Sequence, residues 1–117
     1  MSLVLLCFML VADPAQRASA AMAFDSAAGE LLLFGGAGAR VFGDTWSWDG
    51  ARWELRTRSG PSARDDAALV GIESKRAVLL FGGRVQTGAG AHSLADTWIW
   101  DGSAWTRLDL PGPRARL

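Results

Sequence analysis

The sequence has few or none of the residues on which several protein classes depend. Its 117 residues include one cysteine, one histidine and no tyrosine. A single cysteine excludes a disulfide within the chain and a cysteine-rich metal site. The 12 basic and 12 acidic residues cancel, so the composition indicates no surface for nucleic acid. Half of the residues are apolar, which argues against intrinsic disorder and is typical of one folded domain.

A hydrophobic run long enough to span a membrane is also missing. The longest run, residues 3–12, is too short to cross a bilayer as a helix. It resembles the hydrophobic part of a signal peptide, and residues 18–20 (ASA) resemble a cleavage site, but no Lys or Arg precedes the run. A buried extra strand is the alternative. We treat residues 1–13 as a separate segment whose signal-like character favours a secreted or cell-envelope location, and we expect Cys7 to be unreactive.

The chain is rich in tryptophan and glycine, and both belong to an internal repeat. The segment LLFGG at 32–36 recurs at 79–83, and the pattern DTW-x-WDG at 44–50 recurs at 96–102. The offset grows from 47 to 52, which indicates an insertion of five residues in the second copy. All six tryptophans occupy matching positions: Trp46, Trp48 and Trp53 in the first copy, and Trp98, Trp100 and Trp105 in the second.

A proline–x–x–arginine pattern marks where each copy begins. Its arginines are Arg17, Arg64 and Arg114. The third occurrence, at residues 111–114, indicates the start of a further repeat. We therefore divide the chain into a first repeat at 14–60, a second at 61–110 and the start of another at 111–117.

Each copy contains four short strand candidates separated by turn signals. The pattern predicts strands at 18–24, 30–35, 44–49 and 52–57, and again at 65–72, 76–82, 96–101 and 104–109. The Asp-Gly pairs at 49–50 and 101–102 favour hairpin turns, and no helix is predicted. A repeated unit of four antiparallel strands with large aromatic side chains is typical of a β-propeller blade. The expected fold is all-β, with two blades of an incomplete propeller.

The repeat resembles the kelch repeat, in the form found in the central domain of galactose oxidase. The likeness covers about residues 14–117 and lies in Gly35-Gly36 and Gly82-Gly83, the aromatic strands and the later Trp53 and Trp105. Kelch members usually have Tyr where Trp48 and Trp100 stand. Because propellers have about 4–8 blades, the resemblance implies further blades in cis or self-association in trans. A truncated reading frame without independent function is the other alternative.

The resemblance implies a non-catalytic scaffold that binds a protein or a carbohydrate at its loop face. The alternative is part of an oxidase-like or epimerase-like kelch enzyme whose active site lies in other blades. Galactose oxidase holds copper with Tyr and His ligands. Copper-radical oxidation by this chain alone is excluded, because the chain has no Tyr and only one His. The sequence offers no catalytic constellation, so we expect no enzyme activity, cofactor or metal in the isolated chain.

Arg17, Arg64 and Arg114 are the best candidates for ligand contacts. In a propeller they lie near the mouth of the central channel, where guanidinium groups can hold anions. The alternative is a fixed bond to carbonyls or to a carboxylate of the next blade. His92 is a weaker candidate, in the inserted loop 84–95, because propeller loops carry specificity. A merely solvated side chain is the alternative there.

The remaining motif residues have structural interpretations that we prefer. The tryptophans are predicted to pack blades rather than to stack on sugars. Asp44 and Asp96 are predicted to bond to loop amides rather than to a metal. The paired glycines are predicted to form turns, because the lysine and helix of a phosphate-binding loop are missing.

Overall fold

The computed structural model describes residues 13–109. Most of the N-terminal segment with Cys7, and the start of the third repeat with Arg114, lie outside the described residues. The described chain forms ten strands: β1 Ala21–Asp25, β2 Glu30–Phe34, β3 Thr45–Trp48, β4 Trp53–Thr57, β5 Ala68–Ile72, β6 Ala77–Phe81, β7 Arg84–Thr87, β8 Gly90–Ser93, β9 Thr97–Trp100 and β10 Trp105–Leu108. One short 3₁₀ turn, Glu73–Lys75, joins β5 to β6.

Eight of these strands form two sheets of the same design. The first sheet has the order β1-β2-β3-β4, and the second has the equivalent order β5-β6-β9-β10. Every pairing is antiparallel. The fold is therefore all-β, with two blade-like sheets of four antiparallel strands. No helix in residues 13–109 is long and apolar enough to cross a membrane.

The inserted segment of the second repeat differs from the expected irregular loop. Strands β7 and β8 pair with each other as a separate two-stranded hairpin, with Gly88 and Ala89 at its turn. Gly90 closes this turn with a φ of 116°, a conformation that favours glycine. The inserted residues thus extend the connection between β6 and β9 without adding a strand to either large sheet.

Strand alternation places the long connections at one end of the molecule. Because the strands of each sheet run up and down in turn, the β2–β3, β4–β5 and β6–β9 connections lie at the same end as residues 13–20. Backbone hydrogen bonds tie these segments together, among them Gly36 N to Arg64 O at 2.9 Å and Asp66 N to Ser19 O at 3.0 Å. We call this the loop end, and the opposite end, with the tight turns, the turn end.

The core lies between the two sheets. Leu32 of the first sheet is packed with Val78 and Trp100 of the second, and each is 1% exposed or less. Trp105 adds an edge-on contact with Phe34, at 5.9 Å between ring centroids. Each sheet thus buries one apolar face against the other, as expected for layers that share one core.

Polar tips of the aromatic side chains are satisfied within this interface. The Nε1 of Trp100 donates to Asp25 Oδ2 at 3.2 Å, and the Nε1 of Trp105 donates to Thr45 Oγ1 at 2.9 Å. A buried indole needs such a partner, since an unpaired N–H is costly. Gly60 completes the fit: its φ is 120°, and a Cβ there would lie 2.7 Å from the Trp105 ring.

Leu32→Ala should lower the free energy of unfolding by about 2–5 kcal/mol, because it leaves a cavity between the sheets. Urea denaturation followed by tryptophan emission measures this loss.

Met22→Ala is the matched control, because Met22 is 49% exposed on the far side of the same sheet while Leu32 is 1% exposed. Its loss should stay below about 1 kcal/mol. Equal losses for the two variants would show that the core does not lie between the sheets.

Candidate functional site: two arginine–aspartate–tryptophan units

The motif residues of each repeat meet in one polar unit at the loop end. In the second repeat the unit consists of Arg64, Asp96 and Trp98. In the first it consists of Arg17, Asp44 and Trp46. The arginine comes from the segment that precedes the first strand of the sheet. The aspartate comes directly before the third strand, and the tryptophan is the second residue of that strand.

The second unit is a bidentate ion pair with a third donor. Arg64 Nη1 lies 2.6 Å from Asp96 Oδ1, and Arg64 Nη2 lies 2.9 Å from Oδ2. The Nε1 of Trp98 donates to the same Oδ2 at 2.8 Å. Parallel N–H···O bonds of this kind are stronger and more directional than a single contact. The Arg64 side chain is only 1% exposed.

The first unit repeats this geometry closely. Arg17 Nη1 lies 2.7 Å from Asp44 Oδ1, Arg17 Nη2 lies 3.1 Å from Oδ2, and Trp46 Nε1 donates to Oδ2 at 2.7 Å. The guanidinium also lies 3.9 Å above the centre of the Phe42 ring. Such stacking adds a cation–π attraction that the second unit lacks among the described residues.

The glycine pair that ends the second strand makes room for the arginine. Arg17 Nη1 donates to the carbonyl of Gly35, and Arg64 Nη1 donates to the carbonyl of Gly82. The second glycine of each pair, Gly36 or Gly83, has a φ above 100°. A Cβ at either position would lie 3.1 Å from the Cδ of that arginine. The repeated Gly-Gly motif is thus explained by the arginine that passes over it.

The arginines hold the aspartates in the ionised form. Hydrogen bonds from Arg64 lower the pKa of Asp96 to about 2, against the opposing effect of burial. Burial acts to raise the pKa of Asp44, but hydrogen bonds from Arg17 and Trp46 outweigh it, so this pKa also lies below the usual value. Both units therefore carry a full ion pair at neutral pH.

The structure places Arg17 and Arg64 in internal contacts. Arg17 Nε donates to Ala15 O, and Arg64 Nε donates to Ser62 O. With the contacts above, every nitrogen of both guanidinium groups has a partner inside the protein. This is the alternative interpretation from the sequence, with one correction: the carboxylate belongs to the arginine's own repeat, not to the next one.

Asp44 and Asp96 also differ from the expectation, because they accept from side chains rather than from loop amides. Loop amides are instead bound by the turn residues Asp49 and Asp101, whose Oδ1 atoms each accept two backbone N–H groups. Those bonds lower the pKa of both carboxyls. Within residues 13–109 no group of three His, Cys, Asp or Glu side chains is arranged to hold a metal ion.

The tryptophans occupy two kinds of environment. Trp46 and Trp100 are buried, and the other four are half-buried. Trp53 packs against Trp48, and Trp105 packs against Trp100, each pair with ring centroids 5.3 Å apart. The second pair faces the first sheet, whereas the first pair lies on the side of the first sheet that points away from the second.

His92 lies on β8, opposite Val85, with an exposed side chain. It is therefore part of a hairpin and not of an irregular loop. The repeat pattern does not indicate a role for Asp25, the buried partner of Trp100, because the second repeat has Ile72 at the matching position. The pattern also does not indicate Arg40 and Arg58 at the loop end, because neither has a counterpart in the second repeat.

Asp96→Asn should lower the free energy of unfolding at pH 7 by about 3–5 kcal/mol, because it leaves the buried Arg64 guanidinium without its counter-charge. The folded-state pKa of Asp96, about 2, lies below the ordinary value of 3.8. Its contribution is therefore complete above pH 3.8 and is lost as the pH falls toward 2. Urea denaturation at several pH values should show the difference between variant and wild type narrowing below about pH 4.

Glu54→Gln is the control, because Glu54 is exposed and has no ion pair among the described residues. It should change stability by less than about 0.5 kcal/mol. A loss for Asp96→Asn that stays constant from pH 7 to pH 3 would contradict the ion-pair interpretation.

Comparisons with known proteins identify the fold and no more. No family model matches the sequence, and no curated protein matches it. Among solved structures, the fold is similar to the structure of YjhT, with a TM-score of 0.62 and 19% sequence identity. The matched region covers 81% of this chain, and it spans 28% of the YjhT chain.

Proposed function

We propose that this chain is a pair of kelch-type propeller blades that acts as a non-catalytic binding scaffold. In this proposal, each open sheet face packs against a further sheet of the same repeat type, and the loop end binds a protein or carbohydrate ligand. One observation carries the proposal. The open face of the first sheet has the same motif positions as the buried face of the second sheet, and the open face of the second has the same positions as the buried face of the first.

The open face of the first sheet matches the buried face of the second. Strand register places Met22, Phe24, Leu31, Leu33, Trp46, Trp48 and Trp53 on the side that points away from the second sheet. Their repeat counterparts are Leu69, Gly71, Val78, Leu80, Trp98, Trp100 and Trp105, on the side of the second sheet that is buried against the first. Met22 and Phe24 are about half exposed on this face, whereas Leu33 and Trp46 at the same face are buried. Exposed aromatic and aliphatic surface of this kind is typical of an interaction face.

The open face of the second sheet matches the buried face of the first. Strand register groups Val70, Leu79, Phe81, Thr97 and Ile99 on the side that points away from the first sheet. Their counterparts are Ala23, Leu32, Phe34, Thr45 and Ser47, on the side that receives Trp100 and Trp105. Val70 is 55% exposed, and Phe81 is also exposed. The side chains that would receive another aromatic pair are thus present, and Val70 and Phe81 among them are exposed, whereas Thr97 is buried.

The contacts within the chain indicate what such a neighbour must supply. Trp105 lies edge-on to Phe34 and donates to Thr45 Oγ1. Phe81 and Thr97 repeat this receiving pair on the open face of the second sheet. A sheet carrying a tryptophan at the position of Trp105 therefore fits there, with the same aromatic contact and the same hydrogen bond. The first sheet carries such a residue, Trp53, so a second copy of the chain is one source of that neighbour.

The fold similarity is consistent with this proposal. The chain matches a length of YjhT that is 28% of that protein's chain. Additional sheets of the same type, from this protein or from other copies, would remove the apolar faces from water. Burial of such surface contributes about 25 cal/mol for each Å².

The purified 117-residue chain should self-associate head to tail in a concentration-dependent way. Phe81→Arg should shift the chain toward the monomer, because it places a charge where a tryptophan ring would pack. Size-exclusion chromatography with light scattering measures the mass of each species, and tryptophan emission reports whether the chain stays folded.

Ala89→Arg adds the same charge at the exposed hairpin turn and should leave the mass distribution unchanged. A wild-type chain that remains a folded monomer at all concentrations would contradict the packing proposal. So would an equal effect of the two arginine variants.

A further inference from the structure

A cleft at the loop end has the composition of an anion site. Its volume is about 340 Å³, and it lies between the β2–β3 connection and the segment that links β4 to β5. Among the described residues, its side-chain hydrogen-bond donors come from Arg40, Arg58, Ser59 and Ser62, and a carboxylate comes from Asp44. Glycine, alanine and proline make up the rest of the lining, so small residues leave the space open.

The side chains that line the cleft carry an excess of positive charge among the described residues. Arg40 and Arg58 are exposed, and neither has a carboxylate partner within residues 13–109. The negative charge of Asp44 is already neutralised by Arg17 in the bidentate pair described above. Counting that pair together with the two remaining arginines leaves an excess of two positive charges.

The two segments that form the cleft are held in place by contacts outside it. Arg64 N donates to Phe42 O at 3.1 Å, and Gly36 N donates to Arg64 O at 2.9 Å, so the connection and the linker are bonded directly. The linker is fixed further by buried Pro61 and by Gly60 against Trp105. Preorganisation of this kind lowers the ordering cost of binding.

Hydroxyl groups complement the two guanidinium groups. Ser62 Oγ accepts a hydrogen bond from Arg64 Nη2 at 3.1 Å, which leaves its own proton free for another acceptor. Ser59 is exposed in the same lining, and its hydroxyl shares one hydrogen bond with Thr57 Oγ1. Guanidinium and hydroxyl groups, which share this lining, are both donors from which an oxyanion accepts hydrogen bonds.

We propose that this cleft binds a doubly charged oxyanion group, of the sulfate or phosphate-ester type, with Arg40 and Arg58 as its principal ligands. This proposal specifies the ligand chemistry of the loop end, so it rests on the proposed function, in which the loop end binds a ligand. It does not depend on the packing of further sheets, because the lining residues belong to connections and none lies in a strand of either open face.

Titration with inorganic sulfate, followed by NMR of the arginine Nε–H groups and backbone amides, tests the proposal on the full chain. Chloride is adjusted to keep the ionic strength constant, so that general screening does not change during the titration. Saturable shifts are expected at Arg40, Arg58, Ser59 and Ser62. A parallel titration with inorganic phosphate should move the same signals, and singly charged acetate should bind at least about fivefold more weakly, because its charge is half as large.

Arg40→Gln and Arg58→Gln should each weaken sulfate binding at least about tenfold, because each removes one charge-assisted donor group. Arg76→Gln, which removes the same charge at the turn end, is the matched control and should leave binding unchanged. All three positions are exposed, so the variants should fold, and their tryptophan emission verifies it. No saturable shift up to about 100 mM sulfate, a concentration about a hundredfold above a Kd of 1 mM, would overturn the proposal. An equal loss in the Arg76 control would also overturn it.

The same titration on Phe81→Arg separates this proposal from the packing proposal. Phe81 lies on the open face of the second sheet and is not part of the cleft lining. Binding that persists in this variant supports the anion site whatever the state of association. Loss of binding in a folded Phe81→Arg monomer would show that the site requires a neighbouring sheet, which would overturn the assignment to this cleft alone.

Discussion

The rings of Trp100 and Trp105 enter the near face of the first sheet, and the buried apolar surface of the described chain depends on that contact. A single four-stranded sheet has two faces and cannot cover either of them by itself. Here each sheet covers one face of the other and leaves its second face partly in water. Asp25 and Thr45 accept from the two indole N–H groups. The aromatic layer therefore adds apolar area without leaving a buried donor unpaired.

A second, ionic network fixes the loop end. In each repeat, one carboxylate oxygen accepts from both the arginine and the tryptophan, so the segment before the first strand is joined to the third strand of the same sheet. The arginine also binds the carbonyl at the end of the second strand. Three neighbouring segments thus meet at one guanidinium group. Because such a buried pair is costly to break by removing one partner, its repetition explains why arginine, paired glycine, aspartate and tryptophan recur together in the sequence.

Much of the fold could be predicted because its signals are local. Short apolar runs, tryptophans two residues apart and Asp-Gly turns predicted both four-stranded sheets, with strand ends within three residues of those observed. The partners of Arg17 and Arg64 could not be derived in this way, because they lie 27 and 32 residues further along the chain. The hairpin of β7 and β8 was missed for a different reason. Its small and polar residues show no apolar alternation, since neither face of it enters the core. Asp25, Arg40 and Arg58 have no counterparts in the second repeat, so the repeat pattern does not identify them.

The separate pairing of β7 with β8 has a consequence for how such a repeat tolerates change. The inserted residues satisfy their own backbone hydrogen bonds, and they leave β6 and β9 as direct neighbours in the second sheet. The entropy of closing a loop grows only slowly with its length. The turn at Gly88 and Ala89 is therefore a site that tolerates insertion. A foreign peptide or a longer hairpin can be inserted there while the register between β6 and β9 stays the same.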